Sequence, residues 1–539
     1  MAHELASTRA DDHARAQIAL TLATALNRLG EFRDALALAR SAAKEFEMGG
    51  EMQTAAQCLF QAAWAQTFLG HLKDALADAE RTRQMDTSDL MNARCDWIQA
   101  RVSRDQGRYP EAGTLFEKSR AVFESNDMPL EAARCTRERA HACLLGERTA
   151  TISHLQSARQ TIESAQCIFD VAFCDFLSGV DLLLKTCYPE AQKLISQARD
   201  KFLHLGAEFF VGWSDAQMGI IHRFQNRFEE SLECSHRARD YFLSHDVPVE
   251  VSACDINLGI TYHALNRYDE ALTCYQEAAD IALKEGHEAR AGRIFNNMGE
   301  TYGLQGLYAK ALDLHQRALE IYGEKGLTSL MGSALVNLAI ACRQLGQYDQ
   351  AIGHLQRARE IFLTKNFAIR LAECEFNLGD VYFALHEASA AHIHLQRARE
   401  IYTERKLESL VAACDRLLAY LAGENGERGR ARSLIVASRA TFLNHHQIVD
   451  AALCDLAEGE LAHEWQANEP AKEALLRAHT ILSPGFPDFA WRIAYGLGRC
   501  AWAAGDRTAA LDHYLDAVHT IARSRSVLVT EQLSNDYFA

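Results

Sequence analysis

Fifteen cysteines and 22 histidines give this chain enough thiol and imidazole for metal binding, redox exchange or nucleophilic catalysis, provided that the spacing is right. The spacing is wrong for all three. No C-x-x-C occurs, no Cys/His pairing falls at zinc-ligand distances, and the His-Glu pairs at His287, His386 and His463 lack the second histidine of a zinc-hydrolase helix. Neither a G-x-x-x-x-G-K-[ST] loop nor a G-x-S-x-G elbow is present. His154, His354, His394 and His513 share one register, but each is a repeat or more from the next. One such step displaces a side chain by about the 9 Å between packed helices, against ~2 Å for a metal–nitrogen bond. These histidines read as a half-buried structural ladder, and His392/His394 and His445/His446 lack a third ligand nearby. The expectation is no catalytic residue, no metal and no cofactor, so that the chain is not an enzyme by its own residues.

A polar column carries chemistry of another kind. Asn257, Asn297, Asn337 and Asn377 recur every 40 residues. An amide both donates and accepts, so a ladder of amides can hydrogen-bond the backbone of an extended peptide with little regard to its sequence. Charged neighbours would add selectivity: Arg293, Glu300, Arg343, Glu373 and Asp380. These nine residues form the candidate partner-binding set. The competing reading is that the amides pair with the backbone of adjacent helices.

The elements that must position this column repeat with the same step. Taking the turn between paired helices as a mark, it falls at Gly30, Gly70, Gly107, Gly146, Thr186, Asn226, Asn266, Gly306, Gly346, His386, Gly426, Gln466 and Gly505, at spacings of 37 to 40 residues. Five residues after each mark stands Ala35, Ala75, Ala112, Ala191, Ala271, Ala311, Ala351, Ala391, Ala431, Ala471 or Ala510, with Thr151 and Ser231 as exceptions. Seven residues further on a second small column runs from Ala42 to Ala517, interrupted by Thr82, Ser119 and Ser438. Small side chains two turns apart let helix backbones approach closely. Cys58, Cys95, Cys174, Cys254, Cys374, Cys414 and Cys454 lie twelve residues before their marks, with Cys135 one residue off, as buried core sites would. The seven prolines sit near helix starts or between repeats, where proline is tolerated. The pattern predicts an all-α superhelix, a solenoid of about thirteen helical hairpins.

Leu258, Gly259, Tyr262, Tyr268, Ala271, Tyr275 and Ala278 in one repeat, and Gly299, Tyr302, Tyr308, Ala311 and Ala318 in the next, resemble the tetratricopeptide repeat. The period of about 40 exceeds the usual ~34 and is similar to the kinesin-light-chain-like branch. The resemblance implies that the asparagine column looks into a concave groove that receives a peptide or protein segment. A second stripe, R-A-R-[ED] at Arg237/Arg239, Arg357/Arg359 and Arg397/Arg399, reads as a solvated outer face compensated locally by Asp240, Glu360 and Glu400.

The formal net charge of -16 argues against wrapping a phosphate backbone, so nucleic acid is not expected as a partner. No run is long and apolar enough for a membrane span and no signal-peptide h-region opens the chain. A cytoplasmic location is expected. Repeat regularity divides the chain into degenerate repeats 1–6 (1–250), regular repeats 7–10 (251–403), divergent repeats 11–13 (404–520) and a C-terminal capping or connector segment (521–539). That tail, with Arg523, Arg525, Glu531, Leu533 and Phe538, resembles the connector between bacterial tetratricopeptide arrays and a CHAT-type caspase-like protease. The resemblance implies a C-terminal protease domain as a further partner, and no His-Gly pair of such a protease is present in this sequence. The leading expectation is an interaction scaffold that binds a peptide or protein in its concave groove. The alternatives are the regulatory half of a CHAT-type protease and a self-assembling structural scaffold.

Overall fold

The computed structural model describes the backbone of residues 2–145, 151–483 and 486–538, and side chains between 12 and 522 within those stretches, apart from 151–153, 487 and 488. Among the described residues the chain forms 26 α-helices, which pair into thirteen hairpins. Most helices have 17 residues, as in Pro248–Ala264 followed by Tyr268–Lys284. In each hairpin the first helix is called A and the second B.

What stops most helices is a single residue in the left-handed region. Of the thirteen turn marks read from the sequence, twelve have positive φ, and Gly146 lies outside the described residues. Glycine and asparagine adopt this conformation at little cost, whereas Thr186 (φ 62), His386 (φ 60) and Gln466 (φ 64) are held there by the turn. At His386 its amide donates to the Phe383 carbonyl (3.0 Å) and the Glu387 amide donates to the Tyr382 carbonyl (2.9 Å). This double closure satisfies carbonyls that a helix end otherwise leaves bare. The links between hairpins close in the same way at Gly206, Asp246, Gly286 and Asn366, among others.

Helix packing follows the small columns. Ala191, Ala271, Ala351, Ala391, Ala431 and Ala471 have no solvent exposure, and neither do Ala198, Ala238, Ala278, Ala358 and Ala398. Thr82, Ser119, Ser231 and Ser438, the polar substitutes in these columns, are buried too. Ser119 Oγ donates to the Ala93 carbonyl (2.9 Å), which removes the cost of burying a hydroxyl. Helix A contributes a matching glycine: a Cβ on Gly179, Gly259, Gly379 or Gly459 would come within 2.6 Å of Ile195, Tyr275, Leu395 or Leu475, each sixteen residues on in helix B. The cysteine column is equally buried, at Cys58, Cys95, Cys135, Cys174, Cys254, Cys374, Cys414 and Cys454. Burial pushes most of these thiols up to about 12.

The arginine stripe differs from its sequence reading. Arg159, Arg199, Arg359, Arg399 and Arg439 bond Asp175, Asp215, Glu375, Asp415 and Asp455 at 2.5–2.9 Å, and Arg239 bonds Asp255 in the same way. Each pair joins helix B of one repeat to helix A of the next, sixteen residues on. Neighbours one apart in sequence point away from each other on a helix, so the acid that follows each arginine is not its partner. The stripe is an inter-repeat staple whose acids are mostly buried. His394 joins it by bonding Glu375 (2.6 Å) and stacking on Tyr382, and of the histidine register His154 is exposed rather than half-buried.

The chain divides into two compact units, Met1–Ile294 and Phe295–Ala539. Among the described residues no helix is long and apolar enough to cross a membrane.

Candidate binding face

In the first unit the inner face is filled. Arg101, on helix A of repeat 3 (Asp89–Asp105), is 1% exposed and lies over Trp64 and Phe68, with its guanidinium carbon 4.4 and 4.0 Å from the ring centroids. It donates to Glu138 (3.3 Å), which also accepts from Arg104 (2.7 Å) and Arg137 (3.1 Å). Arg137 reaches Asp170 in the next repeat and stacks over Phe173. Burial alone would raise the Glu138 pKa, but the three arginines outweigh it and hold the carboxyl at about 2. Burial next to these cations also lowers His141, to about 3.

This unit coils tightly enough for repeat 1 to meet repeat 6. Phe32 packs edge-on against Phe209, with centroids 4.9 Å apart, Phe68 meets Phe209, Phe210 and Trp213, and Arg33 pairs with Asp246. The result is an aromatic and ionic core where a wider coil would leave a groove. Two of the candidate residues fall in this unit. Asn257 is half-buried and Arg293 is exposed, its charge acting on the Tyr109 phenol beside Arg290. No hydrogen bond from the Asn257 amide occurs among the described residues.

The other seven lie in the second unit. Asn337 Nδ2 donates to Glu300 Oε1 (2.7 Å) and to Asn296 Oδ1 (3.2 Å), while Asn296 Nδ2 donates to the same Glu300 oxygen (3.0 Å). Protein packed around the Glu300 carboxyl pushes its pKa up against the two amide bonds that lower it, although the residue stays exposed. Arg343 pairs with Asp380 (2.6 Å), and Glu373 accepts from Arg370 (2.8 Å). Asn377 turns back to the Glu373 carbonyl one helical turn earlier (2.8 Å). The Asn297 side chain has no hydrogen-bond partner among the described residues. Thus Glu300 joins Asn337, and Arg343 joins Asp380, across successive A helices, whereas Asn377 bonds the backbone of its own helix and not that of an adjacent one.

Several residues of this face escaped the sequence reading. Asn296 and Arg370 adjoin recognised positions and hold Glu300 and Glu373. Further along, Tyr420 donates to Glu460 (2.6 Å), which Arg492 grips through Nε (3.0 Å) and Nη2 (2.7 Å). Tyr420 and Glu460 stand six residues before their marks, as Glu300 and Asp380 do, so that register could have found them. The connector residues Arg523, Arg525, Glu531, Leu533 and Phe538 lie outside the described side chains. Among the described residues no cluster of three His, Cys, Asp or Glu side chains is placed to hold a metal.

Sequence models of the tetratricopeptide repeat match residues 250–324 and 330–404, 466–525, and 12–41 and 93–118. No curated protein matches the chain in sequence. Among solved structures, the fold is similar to that of a Rap protein complexed with competence and sporulation factor, with a TM-score of 0.51 and 14% identity over 66% of this chain and 99% of that one. It is also similar to the apo quorum sensor NprR from B. thuringiensis, with a TM-score of 0.50 and 12% identity over 67% of this chain and 99% of that one. At such identities the likeness is one of fold.

Proposed function

From the premise that this is a tetratricopeptide-repeat protein, we propose that it is an interaction scaffold and that the inner helix-A face of the second unit binds an extended peptide or protein segment. One contrast supports this reading. In repeats 3 and 4 the inner register is occupied by Arg101 and Arg137, both almost fully buried. In repeats 8 and 9 the same register holds Glu300, Asn297, Ile340 and Asn337, which are exposed or half-exposed. A face of amides, paired charges and an apolar side chain, held on rigid helices and open to water, suits a peptide backbone with a few side-chain contacts.

The test is selection of random dodecapeptides on the full chain, followed by titration against a variant with Asn297, Asn337 and Asn377 all changed to Ala. Weakening of about tenfold or more, with an unchanged far-UV circular dichroism melt, is expected. Selected peptides that bind the variant as well as the parent would place the interaction elsewhere.

A second reading, in which the array senses for a CHAT-type protease, is supported by the resemblance of the tail around Glu531, Leu533 and Phe538. Reading the natural gene beyond the codon for Ala539 tests it: an in-frame His-Gly followed by an Asp-x-Cys supports the reading, and a stop codon removes it.

A further inference from the structure

Resting on the groove reading above, we propose that the inner face of the second unit selects peptides bearing a lysine or arginine, and that Glu300 is the residue that receives the cation. The charges recognised on this face largely cancel in pairs. Arg343 is matched by Asp380 and Arg370 by Glu373. Glu300 is hydrogen-bonded only by neutral groups, the amides of Asn296 and Asn337, which both donate to Oε1, while Arg370 and Glu373 act on it without a hydrogen bond and with opposite signs. Among the described residues Oε2 accepts nothing, so one oxygen is anchored and the other is presented.

The anchoring matters energetically. A carboxylate already fixed by two amides loses little rotamer freedom when a ligand docks, so more of the charge-assisted hydrogen bond appears as affinity. The surrounding protein makes the Glu300 charge costly as it stands, which is why its pKa is raised, and an incoming cation relieves that cost. A second observation concerns the shape of the ligand. Ile340 lies one helical turn beyond Asn337 on the same face and is 40% exposed. A side chain whose ammonium or guanidinium meets Glu300 can therefore lay its methylene stem on Ile340, as long cationic side chains do on apolar surfaces.

The test uses the dodecapeptides selected on the full chain. Each basic residue is replaced in turn, lysine by norleucine and arginine by citrulline, and the peptides are titrated by fluorescence anisotropy against the parent protein and E300Q. The glutamine keeps an oxygen for the two amides while losing the charge. The expected result is a shared basic residue whose replacement weakens binding to the parent about tenfold and binding to E300Q less than twofold. Added salt should shrink the difference. Selected peptides without a basic residue, or an equal loss on both proteins, would overturn the role of Glu300 and leave the groove reading intact. Failure of the triple asparagine variant to weaken any peptide would remove the groove reading, and this inference with it.

Discussion

Arg101 and Glu138 sit on the A helices of successive repeats and are both about 1% exposed, with Nη1 of the arginine 3.3 Å from Oε1 of the glutamate. Three arginines share this one carboxylate, while Asp170 takes up Arg134 and Arg137 on its far side. Such a network costs a great deal of desolvation, and its members depend on one another. It occupies the inner register where the second unit carries its candidate binding face.

Removing the shared acid should therefore be severe. Glu138→Ala leaves guanidinium groups buried without their partner and should lower stability by about 3–5 kcal/mol, measured by urea unfolding followed through the far-UV circular dichroism. The pH dependence has a definite sign. The folded pKa of Glu138 is depressed from 4.5 to about 2, so its stabilisation is present above pH 4.5 and is lost as pH falls towards 2. Glu138→Gln should flatten that part of the acid-unfolding profile, and an unchanged profile would show that other carboxyls dominate.

Asp255 titrates in the opposite sense. Burial, outweighing its bond from Arg239, raises the carboxyl from 3.8 to about 6. A raised folded pKa gives stability that is complete below 3.8 and lost as pH rises through about 6. Arg239→Met removes the compensating cation and should cost about 2–3 kcal/mol at pH 8. At pH 5, where Asp255 binds a proton in both proteins, most of that cost should vanish. Thermal melts of the variant and parent at the two pH values decide it.

Gly379 faces Leu395 so closely that an added Cβ would lie 2.6 Å from the leucine Cγ. Gly379→Val should cost about 2–3 kcal/mol through overpacking. Gly379→Ala should cost less, because Ala339 holds the same register in the preceding repeat opposite the fully buried Leu355. Denaturation midpoints of the two variants should rank in that order.

Thiol reactivity should divide the cysteines sharply. Eleven of the fifteen are buried, and Cys143, Cys167, Cys187 and Cys274 are partly exposed. A native-state titration with an aromatic disulfide reagent should label no more than those four, and denaturant should release the rest. Rapid labelling of Cys374 or Cys414 in the native protein would contradict the core placement of that column.

The hairpin step was legible in the sequence because its causes are local. A left-handed corner demands Gly or Asn at most marks, and close helix contact demands Ala at Ala271 or Ala351, so both leave columns that can be counted. The staple was misread because Arg399 and Glu400 are adjacent in the chain, whereas the true partner, Asp415, is identified only once helix B is known to face the next helix A. The inner face posed a harder problem. Arg101 and Glu300 occupy equivalent positions, and nothing in their registers says that one is core and the other surface. That difference comes from how tightly the first unit coils, which brings Phe32 against Phe209 across 177 residues of chain. Curvature of this kind is the sum of many small packing angles, and no single residue encodes it.

The left-handed corners and the sixteen-residue staple have a genealogical corollary. In repeats 9 to 12, where the staples Arg359–Glu375, Arg399–Asp415 and Arg439–Asp455 share one 40-residue step with the corners and the small columns, a copied or deleted block of that length joins its new neighbours with each arginine still opposite an acid. A block of 34 would set Arg399 against the wrong turn of the following helix. That run is thus closed under whole-block duplication, and relatives that differ in length there should differ by complete hairpins, with the seam hidden at a corner.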